Sequence, residues 1–203
     1  MAPAAPTSLR ARKKAATRAR IYQAALALFR QKGFLTTTVE EIAEAAEVSR
    51  GTFFNYYPTK EALLQDLGER QTQATAEEIR AALKDLGRPA RQRAAHLLRR
   101  LAEAFEVDHE LSRVAVFEVM KAPDALAAAP YRRLLREALA SLLAEGQRRG
   151  EVRAGLDTHA AGAALAGLFF QQVFEWCVSE TPFGLAEQVD SSMDLLWRGL
   201  APE

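Results

Sequence analysis

Apolar residues recur at helical spacing along most of the chain. One face of a predicted helix over residues 15–32 is apolar, with its members three and four positions apart. That face consists of Ile21, Ala24, Ala25, Leu28 and Phe29. The same spacing returns in later segments, and no alternating β-branched run indicates a strand. The pattern therefore predicts an all-α protein of about nine helices.

Residues 37–60 predict two short helices joined by a tight turn. Thr38 and Glu41 form a capping-box pattern that starts the first helix, and Ser49 offers its hydroxyl as the N-cap of the second. Pro58 ends the second helix because its ring cannot continue the hydrogen-bond ladder. Two short helices with such a turn between them form a helix-turn-helix.

The second short helix predicts a polar face opposite its core. Phe53 and Tyr57 are four residues apart and are expected to pack inward. Arginine and asparagine can form bidentate hydrogen bonds with guanine and adenine edges, and glycine permits close approach of a DNA backbone. We therefore expect the outer face to contact DNA. Its residues are Arg50, Gly51, Phe54 and Asn55.

The segments TVEEIAEAA (38–46) and VSRGTFFNYYPTK (48–60) resemble the DNA-binding signature of the TetR family of one-component transcriptional regulators. The resemblance covers about residues 15–65. It implies that Arg50 and Gly51 contact base edges, and that phosphates are held by Thr38, Thr52, Tyr56 and Lys60. In this family position 54 is usually tyrosine. Phe54 has no hydroxyl for a phosphate, but it can touch a thymine methyl. Alternatively, the aromatic residues only complete a small helical domain.

Charge is unevenly distributed although the whole chain has a net charge of +1. Residues 1–60 hold ten Lys/Arg and four Asp/Glu, a net charge of +6, whereas the remainder holds 17 and 22, a net charge of −5. This distribution is expected when only the first segment meets a polyanion, although basic runs are often merely solvated. We predict a disordered basic arm over residues 1–14, a helix-turn-helix domain over 15–60 and a ligand-binding and dimerisation domain over 61–203.

The second predicted domain begins with a long helix over residues 60–86. The resemblance implies that this helix moves when a ligand binds and shifts the DNA-binding head. A pocket is expected among the helices that follow, although core packing explains the same apolar residues. Its candidates are Leu98, Phe105, Arg113, Phe117, Met120, Phe170, Gln171 and Phe174. Such walls favour an effector with an apolar body, for example an acyl chain or an aromatic compound.

The last two predicted helices are strongly apolar. Residues 160–174 carry no charge, but a membrane span needs ~20 apolar residues and two glutamines interrupt this run, so we predict a buried helix. Reading two half-sites ~34–36 Å apart requires a two-fold dimer, and the resembled family pairs its last two helices in a four-helix bundle. The alternative is that these helices complete a monomer core. The predicted interface comprises Leu165, Phe169, Val173, Val189, Met193, Leu196 and Trp197.

Motifs for catalysis or cofactor binding are absent from the sequence. His96, His109 and His159 lie far apart without cysteine or carboxylate partners at metal-ligand spacing. No phosphate-binding glycine loop or nucleophile elbow is present, so we predict neither an enzyme nor a cofactor. The single cysteine, Cys177, fits a reducing cytoplasm and is expected to be a buried thiol.

These patterns lead to one principal hypothesis. The chain is expected to be a cytoplasmic repressor that binds a near-palindromic operator as a homodimer and is released by a small, largely apolar effector. One alternative is a nonspecific architectural DNA-binding protein without an effector. Another is a small-molecule-binding helical protein or enzyme in which the helix-turn-helix is incidental. The sequence leaves open the operator, the effector and the choice between repression and activation.

Overall fold

The computed structural model describes residues 8–120, 130–181 and 183–200. Across these ranges the chain forms nine α-helices and no strand, which confirms the all-α prediction. The helices are α1 (Leu9–Lys32), α2 (Val39–Ala45), α3 (Arg50–Tyr56), α4 (Glu61–Lys84), α5 (Ala90–Glu106), α6 (His109–Met120), α7 (Pro130–Arg148), α8 (Thr158–Val178) and α9 (Leu185–Leu200).

The first helix begins earlier than the sequence predicted. The backbone N–H of Ala11 donates to the side chain of Ser8, which is the N-cap of α1. Residues 9–14, expected to belong to a disordered arm, are therefore helical, while residues 1–7 lie outside the described part of the chain. The physical reason is that alanine, arginine and lysine are strong helix formers even without an apolar stripe.

The chain divides into two compact units, Met1–Gly68 and Glu69–Glu203. The division falls inside α4, whereas the sequence predicted it after residue 60. In the first unit α1, α2 and α3 pack around an apolar core. Fully buried members of this core are Ile21, Ala25, Phe29, Ile42, Phe53 and Tyr57.

The turn between α2 and α3 is built from backbone hydrogen bonds. Glu47 adopts a left-handed conformation with φ 52°. The N–H of Val48 donates to the carbonyl of Ala43 at 2.9 Å, and the N–H of Glu47 donates to Glu44 at 2.9 Å. These two bonds form a Schellman motif, which satisfies the last carbonyls of α2 and reverses the chain. Ser49 then caps α3 by accepting from the N–H of Thr52 at 3.0 Å.

The second unit packs α5, α7, α8 and α9 around one large core. Gly162 on α8 permits a close approach to α7, because an added Cβ would lie only 2.7 Å from the backbone nitrogen of Ala140. By length and composition α8 passes as a membrane-spanning helix, but 44% of its apolar window is buried inside the protein. Its packing against α7 and α9 is that of a core helix, as predicted from its glutamines.

The end of α4 is held by a buried cation. Arg93 of α5 is 2% exposed, and its Nε and Nη2 donate to the carbonyls of Ala82 and Leu83 at 2.8 and 2.9 Å. Its Nη1 forms an ion pair with Glu145 of α7 at 2.9 Å. This contact lowers the pKa of the Glu145 carboxyl. A single side chain therefore satisfies the last carbonyls of α4 and joins three helices.

Candidate nucleic-acid interface and ligand cavity

Helix α3 presents one exposed face and one buried face. Phe53 and Tyr57 are 0% and 1% exposed, so they pack inward as the sequence predicted. The predicted base-contacting residues lie on the exposed face: Arg50, Gly51, Phe54 and Asn55. Of the predicted phosphate contacts, Thr38 is exposed at the start of α2, whereas Thr52, Tyr56 and Lys60 are half-buried. Their contacts with DNA remain predictions.

Arg50 is held over its own helix. Its Nη1 lies 3.0 Å from Glu40 Oε1 on α2, and its guanidinium carbon lies 5.6 Å from the Phe54 ring centroid. Both charged side chains are more than half exposed, so this ion pair contributes at most about 1 kcal/mol and can be exchanged for a base edge. This pairing could not be predicted from the helical pattern, because ten positions and a turn separate Glu40 from Arg50.

Lys60 has a structural role that the family resemblance did not imply. Its ammonium donates to the carbonyls of Phe34 and Thr37 at 2.6 and 2.9 Å, and lies 4.3 Å from the Phe34 ring centroid. A lysine ammonium has three hydrogens, so at most one remains for a phosphate. Lys60 thus fixes the loop that leads into α2, where Thr38 and Glu41 form the predicted capping box.

Tyr57 anchors the end of α3 to its neighbours. Its hydroxyl donates to Asp66 Oδ2 of α4 at 2.6 Å and accepts from Arg18 Nε of α1 at 3.3 Å. Burial and the Asp66 hydrogen bond raise the pKa of the Tyr57 hydroxyl to about 12. Sequence reasoning placed Tyr57 in the core but missed both partners, since nothing in the helical pattern pairs these three positions.

The second unit contains a cavity of about 290 Å³ between α5, α6, α7 and α8. Five of the predicted ligand-pocket residues line it: Phe105, Met120, Phe170, Gln171 and Phe174. The lining also includes Val116, Tyr131, Arg132 and Gly167, which were not predicted for the pocket, and Val173, which was predicted for the dimer interface. Whether a ligand occupies this cavity remains a prediction.

Arg132 is the cation of the cavity lining. Its guanidinium carbon lies 4.3 Å from the Phe170 ring centroid, which is a cation–π distance. Among the residues that the structure describes, no carboxylate is paired with Arg132. Arg132 follows Pro130 and Tyr131 at the start of α7. A charged residue at such a position is expected on the surface, so the sequence pattern did not indicate that it lines a cavity.

Three predicted pocket residues lie elsewhere. Leu98 is 2% exposed within the core of the second unit and does not line this cavity. Arg113 and Phe117 lie together on α6, 5.8 Å apart from guanidinium carbon to ring centroid, and Phe117 is 36% exposed. Only the face of α6 that bears Val116 and Met120 meets the cavity.

The residues predicted for the dimer interface require a correction. Six of them are 1–6% exposed in the core of a single chain: Leu165, Phe169, Val173, Val189, Met193 and Trp197. Only Leu196 is exposed enough to meet a partner, at 36%. Apolar periodicity identifies which positions are buried, but it does not distinguish burial within a chain from burial between chains.

Comparisons with known proteins agree with this arrangement. Residues 21–67 match the model for bacterial regulatory proteins of the tetR family, and residues 69–199 match the YsiA-like protein C-terminal region. FadR of Thermus thermophilus, a TetR family transcriptional repressor solved in complex with lauroyl-CoA, is 36% identical. The match covers 92% of this chain and 96% of that chain, with a TM-score of 0.67.

Two further relatives are similar over most of their length. The fatty acid metabolism regulator protein of Bacillus subtilis (strain 168) is 25% identical over 187 residues, which cover 89% of this chain and 93% of that protein. The fatty acid degradation regulator FadR of Bacillus halodurans has the same fold. It matches with a TM-score of 0.74 at 24% identity, over 91% of this chain and 96% of that chain.

The relatives are transcriptional regulators, and the helix-turn-helix with a helical second domain is present in this chain. The chain therefore belongs to the TetR family of bacterial regulators, ligand-responsive repressors that bind operator DNA as dimers.

Proposed function

We propose that this protein is a repressor released from its operator by fatty acyl-coenzyme A. The observation that carries the proposal is the cavity between α5, α6, α7 and α8, whose described lining residues are mostly apolar and include the cation Arg132. A relative at 36% identity has been solved with lauroyl-CoA, which supports the same chemical class. The protein needs no catalytic step for this role, and it would act in the cytoplasm, where acyl-coenzyme A and the genome are both present.

The cavity suits the acyl part of such a ligand. Its volume of about 290 Å³ is too small for a whole acyl-coenzyme A, so the nucleotide must lie outside. Each methylene removed from water contributes about 0.8 kcal/mol, so an alkyl chain gains affinity from these walls without needing hydrogen bonds. Arg132, half-buried in the lining, supplies a planar cation suited to the thioester oxygen or a phosphate.

DNA recognition is assigned to the exposed face of α3 and its surroundings. Arg50, Gly51 and Asn55 would contact base edges, with the Phe54 ring against a thymine methyl. Phosphates would be held by Thr38, Thr52, Tyr56 and the remaining hydrogen of Lys60. A dimer would read two half-sites of a near-palindromic operator.

Helix α4 is the segment of the chain that connects the DNA-binding unit with the unit that contains the cavity. It runs without a break from Glu61 to Lys84, about 36 Å at ~1.5 Å per residue. A ligand releases the operator only if it binds more tightly to the conformation that cannot read both half-sites. The acyl chain would provide that difference by packing better in one arrangement of α4 than in the other.

The test is a nuclease footprint upstream of the protein's own gene, repeated over a salt series and then with effectors. We expect a protected inverted repeat whose protection decreases with salt and is lost with lauroyl-CoA. Coenzyme A alone and free laurate are the matched controls, and each should leave protection largely intact. Protection that is uniform along the DNA would instead favour a nonspecific architectural protein. A specific footprint that acyl-coenzyme A does not change would contradict the proposed effector.

A further inference from the structure

Three aromatic rings form a wall shared by two cavities. Phe105 of α5, Tyr131 of α7 and Phe170 of α8 line the cavity of about 290 Å³ and also a second cavity of about 10 Å³. The Tyr131 and Phe170 rings meet edge to face with centroids 5.7 Å apart. We call these three residues the aromatic partition. All three are half-buried.

The smaller cavity lies against α4. Beyond the aromatic partition its walls are Gln71 and Thr75 of α4, together with Leu101, Leu135 and Phe169. Thr75 is 4% exposed, so this part of α4 is packed against the second unit's core. A volume of about 10 Å³ is at the threshold for a single water molecule, so the space stays closed to a ligand unless the rings move.

The volume of the larger cavity limits the chain that fits beside an unmoved partition. The lining residues enclose about 290 Å³, so the cavity becomes full at a chain length that binding measurements can identify. The exposed residues Met120, Gly167 and Gln171 mark its open side, where the thioester would lie. The end of a longer acyl chain must then either displace the partition or leave methylenes in water.

We propose that the aromatic partition makes operator release depend on acyl chain length, because only long chains displace its rings toward α4. This inference rests on the acyl-coenzyme A function proposed above. Chains short enough to fit in the larger cavity leave α4 undisturbed. Longer chains push the rings into the smaller cavity, toward Gln71 and Thr75. Binding and operator release therefore have different dependences on chain length.

Saturated acyl-coenzyme A thioesters from hexanoyl to palmitoyl test this directly. Their dissociation constants are measured by calorimetry, and operator release by fluorescence anisotropy of labelled DNA with the full-length protein. Affinity should rise roughly fourfold per added methylene until the larger cavity is full, and then rise more slowly. Operator release should begin at that break, so shorter thioesters bind while leaving the DNA complex intact.

Variants of Phe105 separate this mechanism from simple binding. Phe105→Ala removes a ring between the two cavities and joins them. The chain length at which affinity stops rising steeply, and the chain length at which operator release begins, should then both increase by at least two carbons. Phe105→Leu removes less volume and should move them less; it also serves if the alanine variant does not fold. Phe117→Ala is the matched control, because Phe117 is 36% exposed on α6 and lines neither cavity.

The possible results are distinguishable. Coincident chain-length profiles for binding and release in the unaltered protein would overturn the partition mechanism and leave the proposed effector class intact. So would an onset of release that stays unchanged in both folded Phe105 variants. If no thioester of any length binds, the proposed function itself fails, and the inference fails with it.

Discussion

Arg50 has side-chain partners on α2 and α3 in the absence of DNA. Its guanidinium lies between the Glu40 carboxylate and the Phe54 ring, which limits the rotamers of the free side chain. Phe54, the residue that departs from the family pattern, thus has a visible partner within its own helix. The aromatic ring at this position supports the arginine whether or not it also touches a thymine methyl.

Arg50→Ala is expected to remove sequence preference rather than all DNA affinity. Loss of a bidentate base contact should cost about 1–3 kcal/mol on the operator and little on random DNA. Competition mobility-shift assays with both DNAs measure the ratio. Arg91→Ala, which removes an exposed arginine of the second unit, is the control for lost charge. An unchanged ratio in the Arg50 variant would show that this side chain does not read bases.

Glu41 makes the start of α2 sensitive to acid. Its carboxylate accepts from Lys32, and from the backbone N–H of Thr38 at 2.8 Å. These contacts lower the pKa of Glu41 from 4.5 to about 2. Because the pKa is lower in the folded state, the stabilisation is complete above the unfolded pKa and is lost as the pH falls from about 4.5 toward 2.

The Glu41→Gln variant should therefore melt below the unaltered protein at pH 6, and the difference should shrink as the pH approaches 2. Thermal unfolding followed by circular dichroism across this range measures it. Glu44→Gln, on the same short helix, controls for the removal of a negative charge. A difference that is constant across the whole range would mean that the cap does not depend on the ionised carboxylate.

At the scale of elements, the helix ends depend on different kinds of partner. The starts of α1, α2 and α3 are capped by Ser8, Thr38 and Ser49, residues adjacent in sequence to the helices that they cap. The end of α4 instead receives two hydrogen bonds from Arg93 on another helix. Local caps follow from short sequence patterns, whereas the Arg93 contact exists only once α4, α5 and α7 have packed.

Arg93→Ala is expected to destabilise the protein by about 2–5 kcal/mol, because two helix-end carbonyls lose their donor and Glu145 keeps only its longer ion pair with Arg149, at 3.5 Å. Urea unfolding gives the free energy. The matched control is again Arg91→Ala on the same helix, whose exposed ion pair with Asp194 should cost less than about 1 kcal/mol. Similar losses in the two variants would contradict a specific role for the buried cation.

At the scale of the whole molecule, the apolar residues of α8 and α9 lie in two different environments, the core of the chain and its surface. Most of them fill the core of one chain, as the corrected interface residues show. Leu195 and Leu196 on α9 are 70% and 36% exposed, and Val178 at the end of α8 is 43% exposed. Since the family binds DNA as a dimer, we expect these outward residues to contribute to the interface.

Replacing Leu195 and Leu196 together by glutamate should convert the dimer to a monomer. Operator affinity should fall steeply as well, because two unlinked heads bind half-sites independently. Sedimentation velocity and mobility-shift assays measure the two effects. Val107→Glu is the control, since Val107 is 83% exposed between α5 and α6. A double variant that remains dimeric would place the interface on another surface.

The cavity of the second unit is lined by predictable and unpredictable residues alike. Phe105 and Phe170 were foreseeable as large apolar residues on neighbouring helices, and both line the cavity. Leu98 satisfied the same criterion and lies in the core instead. Arg132 was not foreseeable, because a charged residue at the start of a helix is ordinarily solvated. An apolar side chain faces a cavity or another side chain according to how neighbouring helices are shifted and rotated relative to one another. The spacing of apolar residues in the sequence does not specify that arrangement.

The sequence by itself determined the helices, the helix-turn-helix and its outward-facing side chains, because caps, breakers and helical spacing act over a few residues. It also determined the family, through a motif whose types and spacing agree from Thr38 to Lys60. Only the tertiary structure decided the partners of Tyr57, Lys60 and Arg93, and the choice between core and cavity. These contacts join positions that are distant in the chain. They form only when the helices pack at a particular rotation about their axes, which the sequence pattern does not specify.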